Sequence, residues 1–136
     1  MLCLSQTNEG YMMTVDTEST HSMEQEIRAA RIRKADALRA MNIDPYPHSF
    51  QKTHTATALQ EKYIDLDAGV ETQDLVCVAG RIRSIRNSGM FIDLQDGGSK
   101  IQAFCHKNTL DEERLSRIAF YDIGDIIGVE GVVRRT

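Results

Sequence analysis

The segment LVCVAGRIRSIRNSGMFIDLQDGGSKIQAFC, residues 75–105, decides the fold. Val76, Val78 and Ile82 recur at a period of two. Asn87-Ser88-Gly89 breaks the run, Ile92 and Leu94 restart it, and Asp96-Gly97-Gly98-Ser99 turns the chain again. Three apolar-alternating runs separated by two turn signals predict a meander of three antiparallel strands. Gly80 lies within the first run, where a glycine marks a bulge or the sharp bend that a small barrel needs to close.

Residues two apart on a strand share a face, so the apolar phase also fixes what points away from the core. With Ile92 and Leu94 inward, Phe91, Asp93 and Gln95 point outward. With Ile101, Ala103 and Cys105 inward, Lys100, Gln102 and Phe104 point outward, and Arg81 and Arg83 do so on the first strand. An outward ring beside an amide and two cations is the chemistry of a base reader with phosphate contacts, since aromatic rings serve single-stranded nucleic acids as stacking platforms. The alternative is an ordinary surface phenylalanine or one covered by a loop.

The 136 residues suit one domain with an appendage. A formal charge of −4 argues against a broadly basic nucleic-acid binder, but it is unevenly spread: residues 1–27 carry −5 with no Lys or Arg, leaving +1 for 28–136. The body is expected to attract phosphate locally and weakly. Residues 1–21 are polar, with no basic flank to their short apolar start, and read as a disordered tail rather than a signal peptide. Met12, Met13 and Met23 are alternative starts. No stretch approaches the length of a membrane span, so a cytoplasmic protein is expected. Cys3, Cys77 and Cys105 make no C-x-x-C and read as reduced thiols, the last two in the core.

Residues 22–68 form the approach to the barrel. Ser22 and Gln25 make a capping-box signal for a helix from about 23 to 41, with Ile27, Leu38 and Met41 as its packing stripe. Its cations include Arg28, Arg31 and Arg39, which either line a solvated face or reach an RNA backbone. Asp44-Pro45-Tyr46-Pro47 cannot continue a helix and predicts a stiff linker. Thr55 or Thr57 then caps a short helix over 56–64, and 66–74 reads as a loop into the barrel assigned to 69–136. Beyond the meander, 110–121 reads as a helix and Ile126 to Arg134 as a fourth strand, with Gly128 and Gly131 as bend points.

Several spaced motifs agree in order with one family. Val78-Ala79-Gly80-Arg81-Ile82, Phe91-Ile92-Asp93-Leu94-Gln95-Asp96, Lys100-Ile101-Gln102 and the run from Asp122 to Gly131 resemble the N-terminal anticodon-binding domain of bacterial lysyl-tRNA synthetases, which are class II enzymes. Asn42 to Pro47 and Thr53-His54-Thr55 match the way that family enters its barrel, so the resemblance covers about residues 24–136. It implies an OB fold, a Greek-key barrel flanked by helices in an α+β arrangement, whose outer face binds oligonucleotide. It also implies that Phe91 stacks on the central anticodon uridine, that Gln102 hydrogen-bonds to it, and that Arg81, Arg83 and Arg86 attract phosphate. In that family a fifth strand and then a catalytic domain follow the position of Thr136, so the barrel is expected to lack its last strand here. The implied partner is lysine tRNA. The full-length enzyme, implied to be a homodimer, uses ATP and Mg2+ to attach lysine.

No catalytic constellation is legible in these 136 residues. His21, His48, His54 and His106 are scattered without metal-ligand spacing, and Gly97-Gly98 precedes a strand rather than a helix, so it is no phosphate cradle. Anticodon recognition without aminoacylation is therefore expected of this chain. The alternatives are a free-standing OB module for single-stranded nucleic acid, the similar domain of an aspartyl- or asparaginyl-tRNA synthetase, and a barrel that contacts protein alone.

Overall fold

The alternation at Val76, Val78 and Ile82 belongs to one long strand, β1 (Glu71–Arg86), followed by β2 (Phe91–Asp96), β3 (Ser99–Phe104) and β4 (Ile126–Arg134). The computed structural model of the chain describes residues 17–136, with side chains from residue 21 onward. The expectations for residues 1–16, including Cys3, the tail and two of the alternative starts, lie outside the described residues. The described residues divide into two units, one up to Ala37 and the other from Leu38 to Thr136.

All four strands lie in one antiparallel sheet of order β3-β2-β1-β4, leaving β3 and β4 as its edges. This is the open arrangement expected of an OB barrel without a fifth strand. β1 is shared between two partners. Leu75 to Arg81 pair with β4, Arg81 to Arg86 pair with β2, and Arg81 is opposed by both Ile126 and Gln95. Such a switch brings a third backbone against β1, and Gly80 admits it: a Cβ at this position would stand 2.8 Å from the Gln95 carbonyl oxygen. The bulge expected near Gly80 falls instead between Ile82 and Ser84. It leaves Arg83 unopposed and advances the phase, so that Ser84 and Arg86 join the outer face while Ile85 meets Ile92.

The inner face of the sheet is the core. Ile82, Ile92 and Leu94 are fully buried, with Ile118 beside them; Val76 and Val78 form a second cluster with Leu59, and Ile101 and Val129 touch both. Each such aliphatic side chain contributes about 1.5–3 kcal/mol on burial. Cys105 packs against the first cluster and burial raises its thiol pKa, whereas Cys77 departs from the core position expected of it. The Cys77 thiol is half-buried on the opposite phase of β1 and donates to Glu130 at 3.4 Å.

The described residues form three helices: α1 (Thr17–Ala40), α2 (Ala56–Lys62) and α3 (Glu112–Ile118). α1 begins before the expected start, so Ser22 and Gln25 lie inside it and form no cap; Gln25 instead bonds His21 one turn back, at 3.0 Å. Its buried positions are Ala35 and Leu38, while Ile27 and Met41 of the expected stripe are exposed. α2 is capped by Thr55, whose hydroxyl accepts from the Ala58 amide at 3.1 Å; Thr57 turns to Ser99, and Gln60 donates to the Lys100 carbonyl on the outer edge of β3. α3 is shorter than its pattern and starts after Asp111, which caps the Arg114 amide at 2.7 Å. β1 opens at Glu71, which pairs with Arg134 where a loop was expected, and the register shifts before pairing resumes at Leu75.

Two glycines make room for side chains. Gly128, expected as a bend point, faces the ring of Phe50, whose Cε2 would lie 2.4 Å from an added Cβ. Gly89 has φ +92° and would place a Cβ 2.2 Å from Cγ2 of the core residue Ile118. Asp96 ties the linker to the β2–β3 turn. Its carboxylate accepts from Lys52 at 2.7 Å and from the Ala56 amide at 2.8 Å, and these bonds, Lys52 first, hold its pKa below the usual carboxylate range.

Gly89→Ala combines left-handed strain with a clash in the core, so it should lower unfolding free energy by about 2–4 kcal/mol. Urea denaturation checks this, and a loss well under 1 kcal/mol would contradict the packing described. Because the folded pKa of Asp96 is depressed, its contribution is complete above the unfolded value of about 4 and is lost as pH falls through the folded value. Asp96→Asn should therefore melt lower at neutral pH and lose less on acidification than the parent chain. Parallel acid limbs for the two proteins would exclude this role.

Candidate nucleic-acid interface

The outer face of β1, β2 and β3 carries three transverse rows fixed by the strand register. Arg86 opposes Phe91 and Phe91 opposes Phe104; Ser84 opposes Asp93 and Asp93 opposes Gln102; Arg81 opposes Gln95 and Gln95 opposes Lys100. Rows on one face are about 6.5–7 Å apart, two residues along a strand.

The first row is a continuous π surface. The Phe91 and Phe104 ring centroids are 5.1 Å apart at 32°, and His106 stacks on Phe104 at 5.6 Å and 25°. The Arg86 guanidinium lies over Phe91, 5.9 Å from the ring centre. Phe104 is 52% exposed, so the row is open to solvent rather than covered by a loop. His106 is fixed in turn: its Nδ1 accepts from the Asn108 amide at 3.1 Å. Beyond it an open depression is lined by Asn87, Ser88, His106 and Lys107 among others.

The second row is a hydrogen-bonded triad centred on Asp93. Ser84 Oγ donates to Oδ2 at 2.5 Å, Gln102 Nε2 donates to Oδ1 at 2.8 Å, and Arg86 forms an ion pair with Oδ2 at 3.3 Å. These partners, the serine and then the glutamine above all, depress the Asp93 pKa. Gln102 itself is exposed and sits diagonally from Phe91, a separation of about 7–8 Å between such positions.

The arginines singled out from the sequence have distinct surroundings. Arg81 donates to the Gly124 carbonyl at 2.6 Å and braces the turn before β4. Arg83 is exposed at the bulge, and Arg86 bridges the first two rows. Arg28, Arg31 and Arg39 are exposed on α1, and Arg39 lies over the Tyr46 ring at 5.9 Å. The structure thus brings Phe91, Gln102 and Arg86 together and commits Arg81 in part to the fold. Phe104 and Asp93 were legible as outward residues but not as partners of Phe91 and Gln102. Ser84 was hidden by the bulge, which no residue of the sequence announces.

Residues 76–136 match the family described as OB-fold nucleic acid binding domain, the tRNA anti-codon family. These residues form an OB-fold domain similar to that family. It is 48% identical over 124 residues to the lysine–tRNA ligase of Rhizobium leguminosarum bv. trifolii and equally so to that of Sinorhizobium medicae, 91% of this chain in both cases. The lysine–tRNA ligase of Thermosynechococcus vestitus is 42% identical over 119 residues, 82% of this chain. The chain spans about a quarter of the length of these relatives, 24%, 25% and 23% respectively. In this OB-fold domain the matched region begins within β1 and includes all three outer rows.

Proposed function

We propose that this domain recognises the anticodon loop of lysine tRNA for a lysyl-tRNA synthetase. The observation that carries the proposal is the junction of the aromatic row with Gln102. A pyrimidine stacked on Phe91 brings its Watson–Crick edge toward the second row, where an amide can hydrogen-bond to it. Phe104 and His106 extend the platform for neighbouring bases. Arg83 and Arg86 supply phosphate attraction from one margin of the site, Arg81 with whatever donors Gly124 leaves it, and Arg28, Arg31 and Arg39 act on the backbone of the stem. Arg39 stands over the Tyr46 ring.

Attachment of lysine, with ATP and Mg2+, belongs in this proposal to a full-length homodimeric enzyme acting in the cytoplasm. Among the described residues no three His, Cys, Asp or Glu side chains converge as metal ligands, and Gly97-Gly98 joins two strands instead of opening a helix. No helix among the described residues is long and apolar enough to cross a membrane.

Titrations with anticodon stem-loops for lysine, aspartate and asparagine, beside an oligo-dT control, test the proposal: the lysine loop should bind tightest, and equal affinity for all four would support a general single-strand binder. Phe91→Ala and Phe104→Ala should each weaken the lysine loop by about 1–3 kcal/mol with the fold intact. Unchanged affinity for both would remove the stacking platform from the proposal. Gln102→Ala should narrow the preference for uridine over cytidine at the central position. Arg83→Ala should instead weaken every loop alike and reduce the salt slope by about one. Equal losses on uridine and cytidine loops for Gln102→Ala would contradict its role as base reader.

A further inference from the structure

We infer that Asp93 is a positioning residue for uridine selectivity: as an acceptor-only carboxylate it holds the amide nitrogen of Gln102 and thereby turns Gln102 Oε1 toward the bound base. The inference rests on the proposed base-reading role of Gln102. A glutamine side chain is by itself ambivalent, since a half-turn of its terminal amide exchanges a donor for an acceptor at little cost. A free Gln102 could therefore accept from the N3–H of uracil or, flipped, donate to N3 of cytosine. Selectivity requires that one orientation be enforced from behind.

Asp93 provides that enforcement. It stands directly across from Gln102 in the β2–β3 register, and its Oδ1 takes the Gln102 Nε2 hydrogen bond at 2.8 Å. An ionised carboxylate has no proton to offer, so a flipped amide would set Oε1 against Oδ1, two acceptors in contact. The carboxylate is kept in its ionised form by partners on its other side, Ser84 Oγ at 2.5 Å and Arg86 Nη2 at 3.3 Å, both from β1. With the nitrogen held on Asp93, Oε1 is the acceptor that Gln102 can present to the base, while the remaining N–H stays on the side of the carboxylate. Uracil offers N3–H to that oxygen. Cytosine held in the same stack offers the N3 lone pair, a repulsive element built against the wrong base.

The test is a double-mutant cycle on the full chain, with stem-loops carrying U or C at the central position and thermal melts to verify folding. Asp93→Asn keeps the shape but can donate or accept, releasing the flip; Asp93→Ala removes the partner and serves if the first variant folds poorly. Each should lower the uridine-to-cytidine affinity ratio by about tenfold, and Asp93→Asn combined with Gln102→Ala should lose no more selectivity than Gln102→Ala alone. Nitrogen-15 NMR of the free protein provides a second readout, in which the side-chain amide protons of Gln102 should shift on Asp93→Asn while the β-sheet amides away from this row do not. A ratio preserved in both Asp93 variants while Gln102→Ala narrows it would overturn the inference and leave the base-reading role standing. Additive losses in the double variant would also overturn it, because Asp93 would then contact the base on its own account. If Gln102→Ala leaves the ratio unchanged, the base-reading role fails and the selectivity inference is overturned with it.

Discussion

The fold and its outer face both depend on one close approach, the Gln95 carbonyl against the α-carbon of Gly80. A strand of sixteen residues cannot stay flat and serve two partners over different halves of its length. It must bend where they exchange, and a side chain at the bend would occupy the space the incoming strand needs. With no Cβ at Gly80, β1 leaves β4 and takes up β2 within a single residue, Arg81. The bulge at Arg83 comes just beyond it and completes the turn of phase. Without that extra residue Ser84 and Arg86 would face the core and Ile85 the solvent, and Asp93 would have lost two of its three partners.

This explains why the sheet was easier to read than the site. Val76, Val78, Ile82, Ile92 and Leu94 announce strands because alternation is a local property, and the fourth strand was legible from Ile126 to Arg134 for the same reason. Helix limits were less so. Ser22 and Gln25 have the composition of a cap, but α1 runs through them, since a polar first turn propagates a helix as readily as it caps one. The three-residue turn at Asn87–Gly89 and the bulge depend on what the chain packs against, above all Ile118, which lies 29 positions from Gly89 in the sequence. Phe91 and Gln102 followed from phase alone, whereas Ser84 became part of the site only through the bulge.

The linker shows a further constraint. Prolines prevent 44–47 from forming a helix, yet the segment after them is held at many points. Thr53 exchanges hydrogen bonds with Cys77 of β1, and Lys52 and the Ala56 amide meet on Asp96. Arg135 reaches back to the carbonyls of Ile64 and Leu66. These bonds pin α2 over Val76 and Val78, so the half of the sheet away from the aromatic row is covered while the outer face of β2 and β3 stays open.

An acidic residue at the centre of the surface proposed to bind RNA works against phosphate attraction unless its charge is offset, and the arrangement offsets it. The Asp93 charge is turned sideways into hydrogen bonds from Ser84 and Gln102 of its own row and is offset by the ion pair with Arg86 of the neighbouring row. The same ion pair ties Arg86 down near Phe91, which restricts its reach toward phosphate and adds its cation to the ring. With residues 28–136 carrying a net charge of only +1, little long-range attraction remains to drive binding. Affinity must then come from stacking and from hydrogen bonds to base edges, which depend on the identity and order of the bases. Under the proposed function, a weakly charged surface with an acceptor held in place by Asp93 trades strength for discrimination, the balance needed where the competing ligands are other tRNAs of equal charge.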